Sequence, residues 1–175
     1  MRIPFPLLAL TLVCSAFLTS CKNYSVSVND KTVYTPAPLF KNYQIADEKL
    51  ATCVEQTIAD LNITKADELI RLNCSNAGIT SVAGLDKFFA LAELNLANNL
   101  LTDISELGTL GRLEVLVLTN NKIKNPAPLL NLLHLQTLDL TGNPDMACKD
   151  LYQLAQNLAP LKPQLKLPEQ CTKNG

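Results

Sequence analysis

Tryptophan is missing from this sequence, histidine occurs once (His134), and aromatic residues make up only 5%. Any core it builds is therefore aliphatic. There is no Cys-x-x-Cys pair, and one histidine cannot complete a zinc-type ligand set, so no metal is expected. The six glycines are scattered, which excludes a glycine-rich phosphate loop. No catalytic set is visible, and acidic pairs such as Asp67-Glu68 read as cap and surface charge. A chain that is not an enzyme and needs no cofactor is expected. Charge of one sign is also lacking. Arg2 is the only charged residue in the first twenty, leaving 14 basic residues against 16 acidic. That balance offers no nucleic-acid footprint, and no like-charge block reads as a tail or a polybasic membrane patch.

What is present is a repeat. Apolar residues make up 47% of 175 residues, enough for one domain with a buried core. Leu91, Leu94, Leu96, Asn99 and Leu101 recur 22 residues later as Leu113, Leu116, Leu118, Asn121 and Ile123. Leu135, Leu138, Leu140 and Asn143 begin a further copy. A worn copy precedes them at Leu69, Leu72, Cys74, Ala77 and Ile79. The fourth and sixth positions lie two apart and point to one side of a short strand. Each unit then turns, runs back and stacks on the last, so the strands become parallel neighbours about 4.8 Å apart. The ninth-position amides of Asn99, Asn121 and Asn143 can bond turn backbone that is otherwise buried unpaired, forming a ladder. Ala77 cannot do this. Val82, Leu85 and Phe88, then Ile104, Leu107 and Leu110, then Pro126, Leu129 and Leu132 continue the period.

These units resemble leucine-rich repeats, closest to the 22-residue class of bacterial internalin-like proteins. The resemblance covers residues 69–145, and the caps extend it to 45–171. It implies an α/β solenoid with a short parallel sheet on its concave face, helical caps, and macromolecular partners held on that face. The variable residues between the leucines would face the partner. At the third position they are Arg71, Glu93, Val115 and Thr137. At the fifth they are Asn73, Asn95, Val117 and Asp139. The seventh and eighth positions add Ser75/Asn76, Ala97/Asn98, Thr119/Asn120 and Thr141/Gly142. The face is polar apart from Val115 and Val117, and lacks the aromatic platforms that sugars stack on. It fits a protein or peptide contact. Alternatively, it is only a solvated sheet face.

The ends carry different signals. Ile3–Leu18 is nearly all apolar, and Leu18-Thr19-Ser20-Cys21 resembles the lipobox of bacterial lipoproteins. That resemblance implies a signal peptide over 1–20 and acyl chains on Cys21 as the link to a membrane. Lys22, standing where aspartate commonly marks inner-membrane retention, implies the outer membrane of a bacterial envelope. Residues 21–44 read either as a disordered tether or as a hairpin, with strands at Tyr24–Val28 and Thr32–Tyr34 around an Asn29-Asp30-Lys31 turn. Thr35-Pro36-Ala37-Pro38 is an extended spacer. The N-terminal cap (45–68) has Asp47 capping a helix over Glu48–Asp60. Its core stripe is Leu50, Val54, Ile58 and Leu61. Thr64-Lys-Ala-Asp67 fits a capping box for a short second helical turn. Repeats fill 69–144. In the C-terminal cap and tail (145–175), Asp145 breaks the pattern, a helix spans 149–159, Pro160 and Pro163 end it, and Leu165-Lys-Leu167 is an extended piece.

Of six cysteines, Cys14 leaves with the signal and Cys21 is taken by lipid. The remaining four allow three pairings. Cys74 lies in the first strand and Cys148 follows the fourth, so roughly 14 Å separates the two ends. A disulfide spans Cα atoms about 4.4–6.8 Å apart. Cys53–Cys74 and Cys148–Cys171 are therefore the expected pairs, with free buried thiols as the alternative. The expected function is a lipid-anchored, non-enzymatic binding module. The alternative is an accessory envelope lipoprotein without a dedicated ligand.

Overall fold

The computed structural model describes residues 26–28, 31–34 and 37–172. Residues 1–25, on which the expected signal peptide, Cys21 and Lys22 fall, the expected turn residues 29–30, and residues 35–36 and 173–175 lie outside the described residues. The chain forms two units, residues 1–38 and 39–175. In the first, β1 (Val26–Val28) pairs antiparallel with β2 (Lys31–Tyr34), Val28 opposite Lys31. The two alternating stretches thus meet as strands.

The second unit is the stack. β3 (Arg71–Asn73), β4 (Glu93–Asn95), β5 (Val115–Val117), β6 (Thr137–Asp139) and β7 (Gln164–Lys166) form one parallel sheet in chain order. The 22-residue spacing becomes strand register, so Leu72, Leu94, Leu116 and Leu138 sit side by side, all buried. Across the core, 3-10 turns at Leu85–Lys87, Ser105–Thr109 and Ala127–Asn131 supply buried Leu85, Leu107 and Leu129. A fully buried leucine contributes about 1.5–3 kcal/mol, so a worn position in an end repeat needs a substitute. Cys74 stands in the column of Leu96, Leu118 and Leu140 and fills it, 2% exposed, as half of a disulfide.

The column Asn99, Asn121 and Asn143 is buried. Each amide serves two repeats. Asn99 Oδ1 accepts from the Ala77 and Ile79 N–H groups of the unit before it, at 3.2 and 3.0 Å. Its Nδ2 donates to the Cys74 and Leu96 carbonyls, both at 2.9 Å. Asn121 and Asn143 repeat this pattern one and two units on. Turn backbone that water cannot reach is thereby satisfied.

The N-terminal cap differs in detail from its sequence reading. α1 (Glu48–Leu61) buries Leu50, Val54 and Ile58. Leu61, expected in that stripe, is 60% exposed. The helix stops there: Asn62 takes a left-handed φ of 52°, and Ile63 turns into the core, its N–H bonded to the Ile58 carbonyl at 2.9 Å. This six-to-one bond is the usual helix C-terminal closure. The second turn is a 3-10 segment at Ala66–Glu68. The carboxylate that reaches back to the Thr64 and Lys65 N–H groups belongs to Glu68, not to Asp67. The cap also starts earlier than residue 45. Leu39, Phe40 and Tyr43 pack on the core, with Phe40 edge-on to Phe88 at 6.1 Å between ring centroids. Gly84, at φ 97°, lies so close under Gln44 that a side chain there would strike the Gln44 carbonyl.

Asp47 does more than cap α1. Its Oδ1 accepts from the Lys49 and Leu50 N–H groups, and its Oδ2 accepts from Thr80 N, Thr80 Oγ1 and Ser81 N. One carboxylate ties the helix start to the first repeat. Burial alone would raise its pKa, but these bonds outweigh it and lower the value to about 2. A lowered folded pKa means the stabilisation is present above the unfolded value of 3.8 and fades as pH falls towards about 2. The group remains partly open to solvent, which screens its charge and leaves it the worth of a helix cap. Asp47→Ala should cost about 1–2 kcal/mol in urea unfolding at pH 7. The gap to wild type should close in acid. A gap that stays constant with pH would show that the carboxylate's charge is not responsible.

At the other end, α2 (Lys149–Leu158) buries Leu151, Leu154 and Leu158 and passes into a 3-10 turn, Ala159–Leu161. The extended piece beyond it is a full member of the sheet, β7 pairing with β6. α3 (Glu169–Thr172) follows and carries buried Cys171. Cys53–Cys74 and Cys148–Cys171 are disulfide-bonded, with Cα atoms 5.9 and 5.2 Å apart. No described helix is long and apolar enough to cross a membrane.

Candidate functional site

Two rows of side chains cross the concave side of the sheet. In register, the first is Arg71, Glu93, Val115, Thr137 and Gln164, and the second is Asn73, Asn95, Val117, Asp139 and Lys166. Sequence reasoning names four of each. Gln164 and Lys166 enter through β7, whose place in the sheet no 22-residue spacing announces.

Each end of the face holds an ion pair. Arg71 Nε donates to Glu93 Oε1 at 2.9 Å, with both side chains well exposed, so the pair contributes little stability. Lys166 Nζ lies 3.3 Å from Asp139 Oδ2. The Asp139 side chain is only 17% exposed. Burial pushes its pKa up, but hydrogen bonds from Thr141, Thr119 and Lys166 outweigh this and hold it below the usual carboxylate value.

The fifth-position polar groups are engaged by the backbone. Asn73 Oδ1 accepts from Ser75 N, Asn95 Oδ1 from Ala97 N, and Asp139 Oδ1 from Thr141 N, at 3.2, 3.0 and 3.1 Å. Each closes a turn where the chain leaves its strand. Val117 occupies the same position and can make no such bond. The eighth-position residues also have a backbone task. Asn76, Asn98 and Asn120 have φ of 58°, 57° and 55°, and Gly142 has 72°. Only asparagine or glycine adopts this left-handed turn readily. This backbone task explains their restriction to Asn and Gly, and all four remain exposed beside the two rows.

A wall that the sequence did not disclose stands beside the face. Thr57, Asp60 and Leu61 of α1 line one trough of ≈ 540 Å³ together with Arg71, Glu93, Asn95, Val115 and Val117. Asp60 Oδ1 accepts from the neutral amide of Gln56 at 2.6 Å. The Cys53–Cys74 bond joins α1 to the residue directly after β3 and fixes this wall. His134 is exposed on the rim where the strands begin. Among the described residues, no group of three or more His, Cys, Asp or Glu is placed to hold a metal ion.

No protein-family model and no curated protein matches the chain. Among solved structures, two internalins from Listeria monocytogenes str. 4b F2365 are similar. The internalin inlF is 23% identical over 70% of this chain, with a TM-score of 0.54. Internalin C2 is 22% identical over 75% of it, with a TM-score of 0.57. The chain spans 43% of the length of the first and 60% of the second. At such identity the likeness is one of architecture, and the strand register, the asparagine column and the stacked turns agree with it: by fold, the chain is a leucine-rich-repeat solenoid.

Proposed function

We propose that the protein is a non-enzymatic binding module that holds a protein or peptide partner on its concave face. We further propose that it is anchored to a bilayer through acyl chains on Cys21, with Lys22 assigning it to the outer membrane of a bacterial envelope. One observation carries the binding reading. Val115 and Val117 are the two apolar members of the concave rows, half-buried and bracketed by ion pairs that cancel internally. Val117 gives up a turn bond that Asn73, Asn95 and Asp139 all make. An apolar side chain at a solvent-facing position, placed at the expense of local bonding, is what a contact surface requires. The fold resemblance to internalins agrees with this reading but does not name a partner.

Cross-linking in intact envelopes, followed by pull-down, tests it. Val115→Arg and Val117→Glu should weaken capture by about tenfold or more while thermal unfolding stays close to wild type. Undiminished capture by both variants would place the contact off the concave face, and no specific capture by wild type would favour an accessory role without a dedicated ligand. The anchor has its own test: palmitate labelling should vanish in Cys21→Ala, and labelling that persists refutes acylation at that residue.

A further inference from the structure

We infer that the N-terminal cap completes the binding face, and that the trough it forms accepts an apolar side chain lying next to a lysine or arginine of the partner. This rests on the concave-face reading and specifies its ligand.

Leu61 is the most exposed large apolar side chain of the described residues, at 60%. It is not a frayed end. The helix around it is closed by Asn62 and Ile63, and α1 is bound to the sheet through Cys53–Cys74. Leu61 therefore stands rigidly beside the sheet, lining the same trough as Val115 and Val117. Three aliphatic side chains from two layers of the fold thus border one open space. Its ≈ 540 Å³ lies within the range of ordinary binding pockets. The trough is open along the sheet, so it suits a side chain presented by an extended segment better than an enclosed small molecule.

Charge selects the neighbour of that side chain. The charged residues lining the trough are Asp60, Glu93 and Arg71, two acids against one base. Glu93 and Arg71 bond each other at 2.9 Å and cancel. Asp60 is bonded by Gln56, a neutral amide, so the uncancelled negative charge lies next to Leu61 in sequence and on the same wall. A partner that buries an apolar group against Leu61, Val115 and Val117 gains by placing a cation at Asp60. An anion there meets repulsion. Like-charge juxtaposition discriminates between partners more strongly than the exposed attraction adds affinity.

Random peptides displayed on phage, selected on the purified full chain, provide the probe. Enriched peptides should share an apolar residue adjacent to Lys or Arg. A synthetic copy should bind Leu61→Ser about tenfold more weakly, and Asp60→Lys about fivefold more weakly. Selection on Asp60→Lys should instead enrich apolar residues beside Asp or Glu. Both positions are exposed, and unchanged thermal unfolding of the variants separates lost binding from lost folding. The inference is overturned by an empty selection. It is equally overturned by peptides that bind Leu61→Ser normally and show the same charge preference on Asp60→Lys. Peptides that lose binding to Val117→Glu but ignore Leu61 and Asp60 would leave the concave-face reading standing and remove the cap from the site. Peptides indifferent to Val117→Glu would remove both.

Discussion

Asn121→Ala should lower the stability of the repeat domain by about 2–4 kcal/mol, a large loss for a single polar side chain. Asn121 is 4% exposed. Its Oδ1 accepts from Leu101 N at 3.1 Å, and its Nδ2 donates to the Leu96 and Leu118 carbonyls at 3.0 and 3.1 Å. Alanine strands the buried Leu101 N–H, at about 1–3 kcal/mol, and takes one of two amide donors from each of the Leu96 and Leu118 carbonyls, which keep Asn99 and Asn143 and so lose only about 0.5 kcal/mol each. The site also joins two repeats: Leu96 and Leu101 belong to one, Leu118 to the next. Stability in a stacked array is a sum of units and interfaces between neighbours, so the loss falls on the middle interface. Urea unfolding measures it. Asn157→Ala, on the exposed face of α2, is the control and should stay within about 0.5 kcal/mol. A change under about 1 kcal/mol at Asn121 would mean that water enters and replaces the amide, and that the column is not a principal support.

That asparagine column was legible because it obeys the repeat. A residue recurring at a fixed place among leucines has its neighbours above and below given by the spacing, and its bonds follow from what a strand exit leaves unpaired. Arg71, Glu93, Val115 and Thr137 fell into one row for the same reason, as did the residues at the fifth position. Legibility failed where the period stops. Lys166 reaches the concave face because α2 and its 3-10 turn carry the chain back to the sheet edge, a tertiary event with no spacing of its own. Leu61 fits the helical stripe of Leu50, Val54 and Ile58, yet the helix closes at that residue and Ile63 takes the buried place. Helical periodicity locates a face, but it does not say where the last turn departs from it. Asp47 was visible as a cap. Its second set of bonds, to Thr80 and Ser81, spans more than thirty residues, and no local pattern encodes it.

The other large effect expected is the loss of the Cys53–Cys74 disulfide. The two residues are 21 apart in sequence, and closing a loop of that size restricts the unfolded chain by about 3 kcal/mol. Cys148–Cys171, with a separation of 23, adds a similar amount. Together they approach about 6 kcal/mol, against a total of about 5–15 kcal/mol for a typical domain. Full reduction should therefore bring the domain close to its unfolding threshold. The loss should not be uniform, because each bond sits at one end of the stack and each end repeat has one neighbour only. Cys53→Ala combined with Cys74→Ala avoids a free thiol and isolates the first end. In that variant, amide exchange should speed up at Leu72 and along α1 while protection at Leu116 persists. Uniform loss of protection from Leu72 to Leu138 would show instead that the array unfolds as one cooperative unit and that the caps do not act locally. The same variant frees α1 from the sheet, so Leu61 and Asp60 lose their fixed position beside Val115 and Val117. Peptide binding that depends on Leu61 should then fall even at temperatures where the central repeats remain folded.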